Sequence, residues 1–197
     1  MAYGISPSDE SCYKGTTVLI NKLGIRDQAH LDESETLIIG VKSLQYELAP
    51  FPEELNFNHY KRLHGFLFEE LYAFAGQLRT IDMSKQHTQF CPAGVIEDLA
   101  KRIFLRLASM NYFRGLKRAV FVRELADLYT GINYLHPFRE GNGRTQRLFF
   151  RQLAHRAGYK LNFALVDSDR MMLAAIHAAS GIEDSLVQIF DEVLEAM

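Results

Sequence analysis

Apolar residues recur at helical spacing along almost the whole chain, and this periodicity limits the fold more than any other feature. It predicts a first helix from about Gln28 to Leu48, ending before the Pro52 region. A second starts near Asn58, a suitable N-cap, and carries Leu63, Phe66, Leu67, Leu71 and Phe74 before Gly76. A third spans about Val95 to Tyr112, with Ile96, Leu99, Ile103, Leu107 and Met110 on one face. A fourth runs from about Arg118 to Leu135 through Phe121, Leu125, Leu128 and Ile132. A fifth begins at the Gly141–Gly143 turn and runs to Gly158, a natural C-terminal stop. Two more follow, roughly Asp169 to Ala179 and Asp184 to Glu195. The implied class is all-α, a helical bundle with no repeat and no low-complexity linker.

One stretch breaks the helical pattern. Leu78 to Met83 alternates weakly, Thr88 to Cys91 suits a short return strand, and Ser84-Lys85-Gln86-His87 sits between them as a turn. A lone two-stranded hairpin is marginal, so this one should lie against the helices. Its free edge could accept an extended peptide by strand addition.

The 197 residues suit one compact domain, with 1–54 as an N-terminal helical part and 55–197 as the core. The 22 Lys+Arg stand against 24 Asp+Glu, leaving a net charge of -2, so no basic excess points to direct nucleic-acid binding. No apolar run approaches the roughly 18 to 20 residues that span a bilayer, and Met1 to Cys12 lacks the apolar segment of a secretory signal. Cys12 and Cys91 could form one disulfide, but a domain of this size needs none. A cytoplasmic protein with reduced thiols is expected, and a protein delivered into another cell's cytoplasm would have the same profile.

The chemistry gathers in His136-Pro-Phe-Arg-Glu-Gly-Asn-Gly-Arg-Thr-Gln-Arg147, which joins the fourth and fifth helices. First-turn amides of a helix lack internal partners, sit at the positive end of its dipole and bind anions. Gly141 and Gly143, around Asn142, let a ligand approach that backbone. Arg144 and Arg147, three residues apart, should share one helix face and offer forked donors to phosphate, with Arg151 continuing the row. Glu140, the single carboxylate, suits Mg²⁺ beside a polyphosphate. His136 titrates near neutrality and suits removal of a hydroxyl proton. Phe138 should point inward and anchor the loop. Taken singly, each part also fits a turn, a solvated helix face or a cap. Together they describe a site for a metal-bound polyphosphate beside a proton acceptor. His59, His64, His155 and His177 sit on helix patterns and read as structural or solvated, and Met171 and Met172 as packing residues.

The stretch resembles the Fic (filamentation induced by cAMP) signature, His-Pro-Phe-x-Asp/Glu-Gly-Asn-Gly-Arg-x-x-Arg, at every fixed position. The resemblance covers about 55 to 190 and implies a Fic fold with a hairpin flap at Gln77 to Cys91. It implies protein adenylyltransfer (AMPylation), in which AMP moves from ATP to a Ser, Thr or Tyr hydroxyl of a target protein. His136 would deprotonate that hydroxyl and Glu140 would ligate Mg²⁺. Asn142 and the Gly141–Gly143 amides would cradle the α- and β-phosphates. Arg144 would neutralise the leaving pyrophosphate, and Arg147 would hold the γ-phosphate. Lys85, Gln86 and Phe90 of the flap would contact the target segment. Doc-type kinases of the family carry lysine where Gly143 stands and transfer the γ-phosphoryl group, so Gly143 favours AMP transfer over this alternative. Many Fic proteins carry an inhibitory motif, Ser/Thr-x-x-x-Glu-Gly/Asn, whose glutamate pairs with the arginine matching Arg147. Here Ser6 to Glu10 is followed by Ser11, and Ser43 to Glu47 by Leu48, so neither completes it. The resemblance therefore implies a bacterial toxin restrained by a small separate antitoxin carrying that motif, with type II topoisomerase subunits as candidate targets.

Overall fold

The structure, a computed structural model, describes residues 10–49, 52–85 and 88–197. Seven α-helices lie among them: α1 (Gln28–Glu47), α2 (Phe57–Phe68), α3 (Ile96–Ser109), α4 (Arg118–Leu135), α5 (Asn142–Arg156), α6 (Ser168–Ala179) and α7 (Asp184–Val193). Local chemistry explains several starts. The Asp27 side chain accepts from the His30 amide at the head of α1, and Asp167 accepts from the Asp169 and Arg170 amides at the head of α6. For α2 the cap is Asn56, which accepts from the His59 amide, rather than Asn58. That helix ends at Phe68, well short of Gly76.

The apolar stripes of α2, α3, α4, α5 and α7 meet in one core. Tyr60, Phe104, Phe121, Phe149, Phe150 and Phe190 pack there, each at most 5% exposed. Tyr60 stands edge-on to Phe149, and Phe150 stacks on Phe190. Burying such rings contributes roughly 1.5–3 kcal/mol each. α1 lies against α2 at the edge of this bundle.

The hairpin exists with different strands. β1 is Ser84–Lys85 and β2 is Thr88–Gln89, antiparallel, with Ser84 opposite Gln89. Ser84 and Lys85, expected in the turn, are strand residues, and Leu78 to Met83 is not strand. The reason is a competing set of hydrogen bonds at Arg79. Its amide donates to the Pro137 carbonyl at 2.9 Å, so the start of this segment is tied to the α4–α5 loop, while Met83 at its end accepts from the Phe90 amide at 3.2 Å across the hairpin. A second small sheet has no counterpart in the helical reading. Tyr159–Leu161 (β3) pairs with Leu194–Ala196 (β4), so α7 ends at Val193 and the chain turns extended before Glu195. Gly158, at φ +90°, releases the chain from α5, and Leu161 and Leu194 bury opposite one another. Among the described residues no helix is long and apolar enough to cross a membrane.

Candidate active site

The loop between α4 and α5 is held from within and from below. α4 ends on His136, which takes a left-handed conformation (φ 39°, ψ 59°) and donates its amide to the Ile132 carbonyl. Phe138, fully buried as expected, stacks between His64 at 3.8 Å and Tyr60 at 5.6 Å. The Asn142 side chain folds back on the loop: Oδ1 accepts from the Phe138 amide at 2.9 Å, and Nδ2 donates to the Phe138 carbonyl at 2.7 Å. His64 Nδ1 accepts from the Gly76 amide at 2.8 Å, which leaves Nε2 to carry the proton and donate to the Glu140 carbonyl at 3.0 Å. Burial lowers the His64 pKa to about 4, so the ring stays neutral in this role. The buried Arg79 guanidinium donates to the carbonyls of His136, Ile81 and Cys91. Gly141 is required for two reasons. Its φ is +78°, and a Cβ there would stand 2.2 Å from the Phe68 ring.

The two faces of this loop differ. On one face opens a cavity of about 520 Å³, within the usual range for small-molecule sites. His136, Gly143, Arg147, Lys85, Thr88 and Phe90 line one side of it. Phe163, Val166, Met171, Met172, Ala175 and Ile176 make an apolar wall on the other. Glu140 Oε1 takes the Gly141 amide expected to face phosphate, but no capping side chain reaches the amides that follow it, which remain open to an anion. A side chain at 143 would begin 3.4 Å from the Arg147 guanidinium, which places that cation at the mouth of these amides. Among the described residues Arg147 has no ion-pair partner.

His136 is 6% exposed. The Phe90 ring lies flat on it, 3.6 Å between centroids and 8° between planes. Burial, then the charges of Arg79 and Lys85, push its pKa down to about 3, against a hydrogen bond to the Asn133 backbone. The imidazole is therefore neutral across the physiological range, but the same burial makes it a weak base while Phe90 covers it, so the expectation of a group titrating near neutrality does not hold in this covered state.

On the other face lies an ion-pair cluster. Arg144 Nη1 meets Glu35 Oε2 of α1 at 2.5 Å, and Nη2 meets Glu140 Oε1 at 3.2 Å. The guanidinium sits over the Phe68 ring, 4.9 Å from its centroid. The Tyr72 hydroxyl donates to the other oxygen of Glu35. Glu140 Oε1 also accepts from the Gly141 amide at 2.7 Å.

The structure thus divides the residues that the sequence groups together. His136, Gly143, Arg147, Lys85 and Phe90 meet in the cavity, whereas Glu140 and Arg144 turn toward α1. Arg144 and Arg147 do not present one common face, and Arg151, expected to extend their row, pairs instead with Glu47 of α1. The Asn142 side chain braces the loop, which leaves only its backbone to face an anion. Gln86 lies outside the described residues, as do Ser6 and Ser8 of the first incomplete inhibitory motif. Sequence reasoning misses Glu35, Arg79 and Tyr72, which no local motif marks. Met171 and Met172, read as packing residues, line the cavity.

A single carboxylate, carrying both of its contacts on Oε1, matches what Mg²⁺ takes from a protein when phosphate and water supply the remaining oxygens. Among the described residues no cluster of three or more His, Cys, Asp or Glu offers an all-protein metal site.

A helix start with open amides, a buried imidazole and a hairpin beside them form a helical site suited to a nucleotide. Residues 54–154 match the family model described as Fic/DOC family. The chain belongs to this family. It is 34% identical over 186 residues to the probable protein adenylyltransferase Fic of Escherichia coli (strain K12), across 94% of this chain and 92% of that protein. It is 38% identical over 175 residues to the probable protein adenylyltransferase y4lH of Sinorhizobium fredii, across 88% and 89%. Its fold superposes on the crystal structure of the BepC protein of Bartonella tribocorum with bound AMPPNP, at a TM-score of 0.89 and 26% identity over 95% and 97% of the two chains. The N-terminal Fic domain of a Bartonella quintana effector with bound ADP gives the same TM-score at 27% identity, over 95% of both chains.

Proposed function

We propose that this protein is a protein adenylyltransferase that moves AMP from ATP to a hydroxyl side chain of a target protein. The observation that carries this reading is the shared cavity: a neutral buried base, open helix-start amides and Arg147 on one side, and an apolar wall on the other. Relatives named protein adenylyltransferases and Fic structures holding AMPPNP and ADP support the same reading. The adenine would lie against Met171, Met172 and Ile176, and the phosphates would reach toward Gly143 and Arg147. Glu140 lies outside the cavity lining but at the same helix start, where its carboxylate accepts from the Gly141 amide; from there it would hold Mg²⁺, which supplies positive charge to the phosphate oxygens when bound.

The target hydroxyl gives its proton to His136 as its oxygen bonds to the α-phosphorus. The bond from the α-phosphorus to the bridging oxygen breaks, and pyrophosphate leaves with its charge met by Arg147. The target segment would pair with the free edge of the β1–β2 hairpin beside Lys85, after Phe90 moves off His136. Incubation with a target and ATP labelled separately at the α- and γ-phosphates tests this scheme. Label is expected on the target from the α-position only. Transfer of the γ-label would instead establish the kinase alternative. His136→Ala should slow transfer by roughly 10²–10⁴-fold, and equal labelling by the variant would refute the assigned role.

We further propose control by a separate antitoxin whose glutamate pairs with Arg147, in a bacterial toxin acting in the cytoplasm on type II topoisomerase subunits. What supports this is that Arg147 stands in the cavity while Glu47, from the second incomplete motif, is committed to Arg151. Co-expression of a small neighbouring gene should relieve toxicity, and toxicity unmoved by every neighbouring gene would count against it.

A further inference from the structure

We propose that Glu35 is a positioning residue of the active-site loop: it holds one edge of the Arg144 guanidinium and so keeps that cation from closing on Glu140, whose carboxylate stays available to a metal ion beside bound nucleotide. This rests on the nucleotide-binding reading above. Glu35 comes from α1, 109 residues from Arg144 in the chain, and its side chain is 8% exposed. A carboxylate buried that far is costly unless its oxygens are matched, and both are, by Arg144 and by the Tyr72 hydroxyl.

An unconstrained guanidinium four residues after a glutamate tends toward a bidentate pair with it. Arg144 instead makes its short contact with Glu35, at 2.5 Å, and only a single longer one with Glu140, at 3.2 Å. The Phe68 ring beneath the guanidinium limits its tilt. Two carboxylates sharing one cation leave one negative charge in the cluster, which a divalent ion can meet. Without Glu35 the remaining pair is neutral, and Glu140 is already matched. Tyr72 acts one step further back, because its hydroxyl orients Glu35 and touches neither Arg144 nor Glu140 by hydrogen bond.

Glu35→Gln and the double variant Glu35→Gln/Arg144→Gln test this by calorimetry of ATP binding with and without Mg²⁺, alongside thermal melting. In Glu35→Gln the affinity without Mg²⁺ should hold, while the gain on adding Mg²⁺ should fall by about tenfold, as for other groups that orient a metal ligand. In the double variant that gain should return, since the competing cation is gone. A Mg²⁺ gain equal to wild type in Glu35→Gln overturns the proposal, and so does a further fall in the double variant. An equal loss with and without Mg²⁺, together with a lower melting temperature, marks Glu35 as a folding element only and also overturns it. If Glu35→Gln does not fold, Tyr72→Phe keeps the carboxylate and should lower the Mg²⁺ gain in the same direction by a smaller factor. An unchanged gain there counts against the proposal. Wild-type protein that binds no ATP at all refutes the nucleotide reading itself, and the proposal with it.

Discussion

Arg144 and Arg147 stand three residues apart on one helix and live in different surroundings. Arg147 lines an open cavity with no ion-pair partner among the described residues. Arg144 is locked between two carboxylates and an aromatic ring. Three residues on a helix turn through about 300°, so the two side chains diverge by roughly 60°, and here the cavity edge falls between them. Similar spacing therefore does not give similar duty. One face of the first turn of α5 is kept open for a ligand, and the other is closed by packing.

The largest expected break in this contrast is Arg144→Ala, which strands Glu35 in the interior. It should destabilise the fold by about 3 kcal/mol in urea unfolding, whereas Arg147→Ala should stay within about 0.5 kcal/mol and lose ATP affinity. Equal stability losses would erase the distinction. Gly141→Ala comes next. A Cβ against Phe68 together with a positive φ should cost about 2–3 kcal/mol in the same assay. Gly143→Ala, at the cavity mouth, should unfold near the wild-type midpoint while reducing transfer.

Acidity probes the buried histidines, His136 at the cavity and His64 and His59 on α2. His136, His64 and His59 all have pKa values lowered by burial, to about 3, to about 4 and below the usual 6.5. The unfolded chain thus takes up protons that the folded one refuses. Stability is full above about pH 6.5 and should fall as pH drops toward 4, by up to about 1.4 kcal/mol per pH unit for each histidine. His64→Gln should flatten that slope when unfolding free energies are compared at pH 7 and 5. The smallest effect is expected from Phe90→Ala, which uncovers His136 and should raise its pKa toward the ordinary range, as read from its ring proton shifts. An unmoved pKa would mean that the Phe90 ring contributes little to the burial.

Much of the helical frame can be read from the chain, because 3.6-residue apolar periodicity and the punctuation at Gly141 and Gly158 act over a few residues. The loop from His136 to Arg147 is legible for the same reason: its amides, imidazole and arginines lie within twelve residues. What is not legible depends on contacts between distant segments. Glu35 reaches Arg144 across 109 residues, β3 finds β4 only at the far end of the chain, and Arg79 diverts a strand-like segment onto the Pro137 carbonyl. None of these partners leaves a local pattern. Even Asn142, which the signature marks plainly, turns its side chain to a structural task that spacing alone does not disclose.

The left-handed turn at His136 sets conformation against chemistry at one position. A non-glycine residue held there costs roughly 1–2 kcal/mol in backbone energy. Glycine or asparagine would relieve it, yet neither carries an imidazole. Position 136 thus carries histidine against the preference of its own backbone. Variant libraries sorted for folding and for turnover would weigh that one residue on separate grounds, and their disagreement there would measure how far chemistry overrides conformation in this protein.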